Sequence, residues 1–180
     1  MASKISDEYL EQLKGLHKKA FGSGKAINSL VANVLDQNSI SSLLDFGCGK
    51  GLTTQKIKET YPNINVYAYD PVTSPIELPE SVDMIHSSDV LEHIKYEYLD
   101  ETLDKLFSIA SKYQYHLIAC HPSKKKLPDG RNAHLIVETP DWWKDKLSKY
   151  GWNFEHENII EKYNDKFNIN IIKYIVVLKK

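Results

Sequence analysis

Gly47, Gly49 and Gly51 alternate through Leu43-Leu44-Asp45-Phe46-Gly47-Cys48-Gly49-Lys50-Gly51, an apolar stretch that runs into a glycine turn. A strand that delivers the chain to such a turn, and then to a helix, leaves backbone N–H groups facing a crevice with no Cβ to keep a ligand away. That is the chemistry of a nucleotide-type cofactor loop. A dinucleotide fingerprint would read G-x-G-x-x-G, whereas this loop reads G-x-G-x-G, with Leu52 where a later glycine would stand. Asp45 precedes the turn. Asp70 closes the next apolar stretch, Tyr67-Ala68-Tyr69-Asp70, at the distance where a strand-end acid accepts hydrogen bonds from ribose hydroxyls. The pair suits an adenosyl ligand better than NAD.

On these residues the chain resembles the class I S-adenosylmethionine-dependent methyltransferases, whose first motif, Asp/Glu-x-Gly-x-Gly-x-Gly, is matched by Asp45 to Gly51. Ser81-Val82-Asp83-Met84-Ile85-His86-Ser87-Ser88-Asp89-Val90-Leu91-Glu92-His93-Ile94 is similar to the fourth strand and following turn of the ubiquinone-biosynthesis-like members, which often read D-x-I-x-x-x-x-V-L-E-H-I or V. The resemblance implies S-adenosyl-L-methionine as cofactor, a Rossmann-like three-layer α/β/α sandwich, and a small-molecule substrate. It implies cofactor contacts at Asp45, Gly47, Cys48, Gly49, Gly51, Asp70, Pro71, Ser88, Asp89 and Val90. The loop would carry the methionine part and Asp70 the ribose.

Methyl transfer from a sulfonium needs a nucleophile held in line with the S–CH₃ bond, and the leaving thioether needs no proton. A hydroxyl or ammonium acceptor is helped by a base of near-neutral pKa, for which histidine is the natural candidate. His93 is the first, because the resemblance sets its turn facing the methyl group; the same position would equally cap or pack the next helix. His121, in His121-Pro122, is the second, since open α/β sheets bind ligands beyond the carboxyl ends of their strands. A loop histidine contacting backbone is its competing reading. His134 is the third, in the cluster Arg131-Asn132-Ala133-His134-Leu135, where Arg131 would clamp a carboxylate or phosphate. Of Trp142 and Trp143, a helix turns only one toward a ligand, and Trp142 is the freer candidate for substrate, with core packing as the alternative. Glu92 would orient His93.

Composition sets limits around this chemistry. The chain has 180 residues, 42% hydrophobic and 26% charged, enough for one sizeable core, and a net charge of −1 that gives no overall basic field for nucleic acid. Lys124-Lys125-Lys126 is the one basic run and reads as a solvated loop; the Asp/Asn/Ser-Pro-Pro-Tyr/Phe turn of DNA amino-methyltransferases is absent. Lys4, Asp7, Glu8, Glu11, Lys14, Lys18 and Lys19 leave no secretory apolar core in the first twenty residues, so a cytoplasmic protein without membrane contact is expected. Cys48 and Cys120 form no C-x-x-C, and no zinc spacing occurs, so no metal is expected. Oligomeric state is left open. A macromolecular methyltransferase and a binding protein that holds the cofactor without turnover are the competing functions.

The elements that must position these groups follow from pattern. One domain is expected, with residues 1–38 as a helical lid and 39–180 as a Rossmann-like core. Tyr9, Leu13, Leu16 and Ala20 make one helical stripe, and Ile27, Leu30, Val31, Val34 and Leu35 a second. Leu52 to Tyr61 and Glu97 to Ser111 read as helices, and Ile64 to Tyr69 and Tyr115 to Cys120 as strands. Between Asp70 and Ser81 the family's helix, strand and helix cannot fit among three prolines, so the region is reduced to a loop with a vestigial strand near Ile76-Glu77-Leu78. Thr139-Pro140-Asp141 starts a helix with an N-cap and Pro at its first position. Trp152 to Ile160 and Phe167 to Leu178 close the sheet around a turn at Glu161 to Asp165.

Overall fold

The computed structural model describes residues 26–165 and 168–180; the stripe Tyr9 to Ala20 lies outside them. Helix α1 (Ser29–Gln37) starts at Asn28, whose Oδ1 accepts from Leu30 N at 2.9 Å, and buries Val31, Val34 and Leu35. Strand β1 (Ser42–Phe46), helix α2 (Leu52–Thr60) and strand β2 (Asn65–Tyr69) follow, then strand β3 (Val82–Ser88) and helix α3 (Tyr96–Ile109). Strand β4 (Ala110–Ala119), helix α4 (Pro140–Ser148) and the strands β5 (Asn153–Asn164) and β6 (Ile169–Lys179) complete the chain.

The six strands form one sheet in the order β2-β1-β3-β4-β6-β5. The first four are parallel, and β6 and β5 join antiparallel. Side chains alternate across the pleat. Leu43, Met84, Ile175 and Val177 pack with Val31, Leu35 and Ile57 on one face. Leu44, Ile85, Tyr174 and Val176 pack with Leu99, Leu103, Leu106, Trp143 and Leu147 on the other. The expected three-layer α/β/α sandwich is therefore present, and α1 is one of its covering helices. Thr139 caps α4 by accepting from Trp142 N, with Pro140 in the first position, as its sequence predicts.

Three expectations shift. Residues 76–78 form no strand: the chain folds back immediately after β2, with Asp70 and Ser74 exchanging backbone hydrogen bonds at 3.0 Å, which leaves β2 at the sheet edge. Strand β4 begins at Ala110, directly from the end of α3, because Ala110 already pairs with Val82. The closing hairpin is longer than its pattern suggests. Glu161 to Asn164 pair with Ile169 to Ile172 and the turn falls after them. An edge strand exposed along most of its length shows no apolar alternation to mark where it stops.

Beneath the parallel strand ends, β3 and β4 share a buried polar ladder. His116 is fully buried; Ser87 Oγ lies 2.7 Å from its Nδ1, and Gln114 Oε1 lies 3.0 Å from its Nε2. Gln114 Oε1 can only accept, so Nε2 carries the proton and Nδ1 accepts the Ser87 hydroxyl. Burial, with His86 nearby, pushes the His116 pKa down from 6.5 to about 3. The unfolded chain therefore binds a proton that the folded chain refuses, and this contribution, whole above pH 6.5, is lost as pH falls toward 3. Between pH 7 and 5 His116 alone is expected to remove roughly 2 kcal/mol of stability. Urea unfolding at both pH values checks this: the loss for His116→Gln should be smaller than that of wild type by about that amount. An equal loss would show that His116 takes up its proton without unfolding.

Candidate active site at the strand ends

The glycine loop leaves β1 and is held by the end of β2. Gly47 N and Cys48 N donate to Tyr69 O at 2.7 and 3.0 Å, and Gly51 N donates to Cys48 O at 2.9 Å. Gly47, Gly49 and Gly51 have φ of 78°, 52° and 71°, the left-handed region that L side chains rarely enter. Asp70 completes the clamp: Oδ2 accepts from Gly49 N at 3.1 Å, and Oδ1 accepts from Val72 N and Thr73 N, each at 2.9 Å. Thr73 Oγ1 donates to Gly49 O. The expectation of open N–H groups is thereby corrected for Gly47, Cys48, Gly49 and Gly51. The amides of Gly47, Cys48 and Gly49 tie the loop to the end of β2, and that of Gly51 closes the turn on Cys48.

Asp45 lies behind the loop and is buried. Thr54 Oγ1 donates to its Oδ2, and His86 Nδ1 donates to its Oδ1 at 2.8 Å. The carboxylate thus locks β1 to α2 and β3 and positions the turn. Cys48 is half-buried, and burial together with Asp45 and Asp70 pushes its thiol up to about 12, which keeps it protonated and without nucleophilic character. Pro71 and Ser88 are half-buried at the ends of β2 and β3.

Val90 joins the loop to the histidines. A Cβ on Gly47 would lie 2.4 and 2.6 Å from the two Val90 methyls, so the glycine loop and the turn after β3 touch directly. Val90 O then accepts from His93 N at 3.0 Å. Asp89, with φ of 54°, ends β3; its Oδ1 accepts from Lys173 Nζ at 2.7 Å. Lys173 interrupts the apolar run Ile171 to Leu178, and that interruption is the trace this pair leaves in the sequence.

The structure brings His93, His121 and His134 together. His93 and His134 are edge to face at 4.9 Å between centroids, and His121 and His134 likewise at 5.5 Å. The Nδ1 of each lies on a main-chain carbonyl: His93 on Ala133 O at 2.7 Å, His134 on His121 O, and His121 on Ile172 O at 2.8 Å. His121 Nδ1 also lies 3.3 Å from Ile172 N, but the shorter contact to the carbonyl sets the proton on Nδ1. All three therefore present Nε2 as the basic nitrogen. Burial, with His134 nearby, pushes His93 down to about 4, and burial lowers His134 as well.

Asn132 holds the segment that makes this convergence possible. Its Oδ1 accepts from Ser123 N and His134 N, each at 2.9 Å, and its Nδ2 donates to Ser123 O. Glu92, fully buried in the turn after β3, receives the returning chain: its carbonyl accepts from Leu135 N and Ile136 N. Its Oε1 accepts from Ala119 N at 3.2 Å, and Oε2 has no hydrogen-bond partner among the described residues. Burial and the Asp89 charge push this carboxyl up to about 8. The Ala133 carbonyl orients His93, the task expected of Glu92. Arg131 is exposed and paired with Asp129 at 2.6 Å. Trp143 is wholly buried, and Trp142 is half-buried against Tyr96 at 5.9 Å.

Comparison with known proteins follows the same lines. The profile of the family described as Methyltransferase domain matches residues 11–164. The ribosomal RNA large subunit methyltransferase G of Shewanella amazonensis is 29% identical over 93 residues, which is 52% of this chain and 23% of that protein's length. Among solved structures, 1,6-didemethyltoxoflavin-N1-methyltransferase of Burkholderia thailandensis, with 1,6-didemethyltoxoflavin and S-adenosylhomocysteine bound, superposes with a TM-score of 0.63 at 11% identity. That match covers 100% of this chain and 93% of the other. TehB from Haemophilus influenzae superposes with a TM-score of 0.55 at 16% identity, over 94% of this chain and 67% of the other. At these identities the likeness is one of fold. Among the described residues no helix is long and apolar enough to cross a membrane.

Proposed function

Because this chain belongs to the methyltransferase-domain family, we propose that it transfers the methyl group of S-adenosylmethionine to an oxygen or nitrogen of a small-molecule acceptor. The observation that carries the reading is continuity: the glycine loop touches Val90, and Val90 leads in three residues to a cluster of three imidazoles. The residues present fit an adenosyl group. Among the described residues nothing lies within 4 Å of a Cβ built on Gly51, and Asp70 Oδ2 takes one amide, which leaves acceptor capacity for a hydroxyl. S-adenosylmethionine, when bound, supplies an electrophilic methyl group on a sulfonium.

The chain's own part is to align the acceptor and to receive its proton. His121 follows the carboxyl end of β4, and its Nδ1–H is held by the Ile172 carbonyl, so Nε2 is the basic atom for an acceptor proton. A small acceptor is favoured by the absence of an overall basic field. The ribosomal RNA methyltransferase among the relatives makes a nucleic-acid acceptor the competing reading.

Calorimetric titration of S-adenosylmethionine and S-adenosylhomocysteine, followed by an acceptor panel of small hydroxyl and amine compounds and of ribosomal RNA, tests the proposal. Turnover on small acceptors alone is expected; methylation of RNA alone would replace it with the competing reading. Asp70→Ala is expected to weaken cofactor binding at least tenfold, about 1.4 kcal/mol. Since Asp70 also clamps the loop, a 2′,3′-dideoxy analogue of S-adenosylhomocysteine separates the two effects: wild type should discriminate against it and Asp70→Ala should not. Equal affinity of wild type for both ligands would remove Asp70 from ribose contact.

A further inference from the structure

Methyl transfer as proposed uses one base, His121, and leaves the juxtaposition of Glu92 with His93 and His134 without a task. One ligand-capable atom from each residue lies within 4.8 Å of the others. The two imidazoles have their tautomers set from behind. His93 Nδ1 lies on Ala133 O and His134 Nδ1 on His121 O, so the lone pair of each ring is at Nε2. A ring nitrogen donating to a main-chain carbonyl is how metal-ligating histidines are held in orientation. Independently, Glu92 is 0% exposed, its Oε1 is committed to Ala119 N, and its Oε2 has no hydrogen-bond partner among the described residues. A wholly buried carboxylate oxygen without a donor calls for an occupant.

We propose that Glu92 Oε2, His93 Nε2 and His134 Nε2 bind one divalent transition-metal ion. Two neutral imidazoles and one carboxylate suit zinc, cobalt or manganese; calcium and magnesium prefer all-oxygen sets, and no thiolate takes part. Ligand atoms around a tetrahedral ion stand about 3.4 Å apart, given bond lengths of about 2.0–2.2 Å. The cluster would therefore close by roughly 1.4 Å from its present limit of 4.8 Å. Glu92 is wholly buried and His93 and His134 are half-buried, so the closure falls to the two imidazoles. Three protein ligands leave a fourth position open for water or an acceptor oxygen, the arrangement of a working metal site. Ligands this far apart in sequence carry no spacing signature, so the sequence pattern does not register such a cluster.

Full-length protein stripped with chelator and titrated with cobalt(II) tests the site by its visible ligand-field absorption, with elemental analysis for stoichiometry. One equivalent is expected to bind. His134→Ala and Glu92→Gln should each weaken it at least tenfold, while His121→Ala, which keeps the main-chain carbonyl behind His134, should bind as wild type does. Two variants at different burial guard against a folding defect, which unfolding curves on each would expose. Failure of wild type to retain cobalt through desalting, or equal affinity in wild type and His134→Ala, overturns the proposal. S-adenosylmethionine titration of the same metal-free sample is a separate reading, so loss of the metal site and loss of the methyltransferase assignment are distinguishable.

Discussion

Gly47→Ala is expected to lose several kcal/mol of stability and most of the affinity for S-adenosylmethionine. The new Cβ would lie 2.4 Å from one Val90 methyl and 2.6 Å from the other, so no rotation of the branched side chain clears both. Val90 is packed against the core cluster under α3 and α4 and cannot retreat without moving it. Overpacking of this kind costs about 1–3 kcal/mol. The backbone adds its own penalty, since φ of 78° in a residue with a Cβ costs about 1–2 kcal/mol. The loop would yield first, because its amides rather than a packed interior hold it to Tyr69 and Asp70. Urea unfolding and calorimetric titration measure the two losses. Gly51→Ala is the internal comparison: among the described residues no atom lies within 4 Å of its built Cβ, so only the backbone penalty, at φ of 71°, is expected in its stability. Combining Gly47→Ala with Val90→Ala should recover the steric share. Wild-type stability and affinity in Gly47→Ala would mean that the loop and the turn after β3 are not in contact.

Removal of the His121 imidazole is the second large effect. If Nε2 takes the acceptor proton, His121→Ala should lower kcat about 10²–10⁴-fold, the range for loss of a positioned base. Cofactor affinity should stay at the wild-type value, because His121 is held by Ile172 on β6 and makes no hydrogen bond to the glycine loop. A variant with wild-type kcat on its best acceptor would move the proton to another group. His93 makes a poor base near neutral pH, since burial pushes it down to about 4.

The sequence carried local information well and long-range information poorly, for identifiable reasons. Thr139-Pro140 predicts where α4 begins because a cap and a fixed φ act within three residues. Three prolines predict that residues 71–81 form no complete helix, because proline removes donors wherever it stands. The turn of the last hairpin was misplaced because β5 is an exposed edge, where side chains need not alternate. The amides of Gly47, Cys48 and Gly49 read as open in sequence because their acceptors, Tyr69 O and Asp70, stand at the end of the next strand and are reached only through the parallel register of Phe46 with Tyr69.

What the sequence determined by itself is the glycine turn, the acid at the end of the second strand, the alternation of strand and helix, and through them a cofactor-binding α/β sandwich. Each rests on backbone freedom or side-chain periodicity over a few residues, which any chain with this order would express. Tertiary structure alone decided the chemistry beside the loop. His93, His121 and His134 came from the sequence as separate candidates; they meet because β3 and β4 end side by side, with Ser88 opposite Leu117, and because Asn132 turns the following segment back onto Glu92. Lys173 reaches Asp89 across 84 residues only after β6 enters antiparallel to β4. Such contacts depend on register and burial, which arise when the sheet assembles and have no local signature to read.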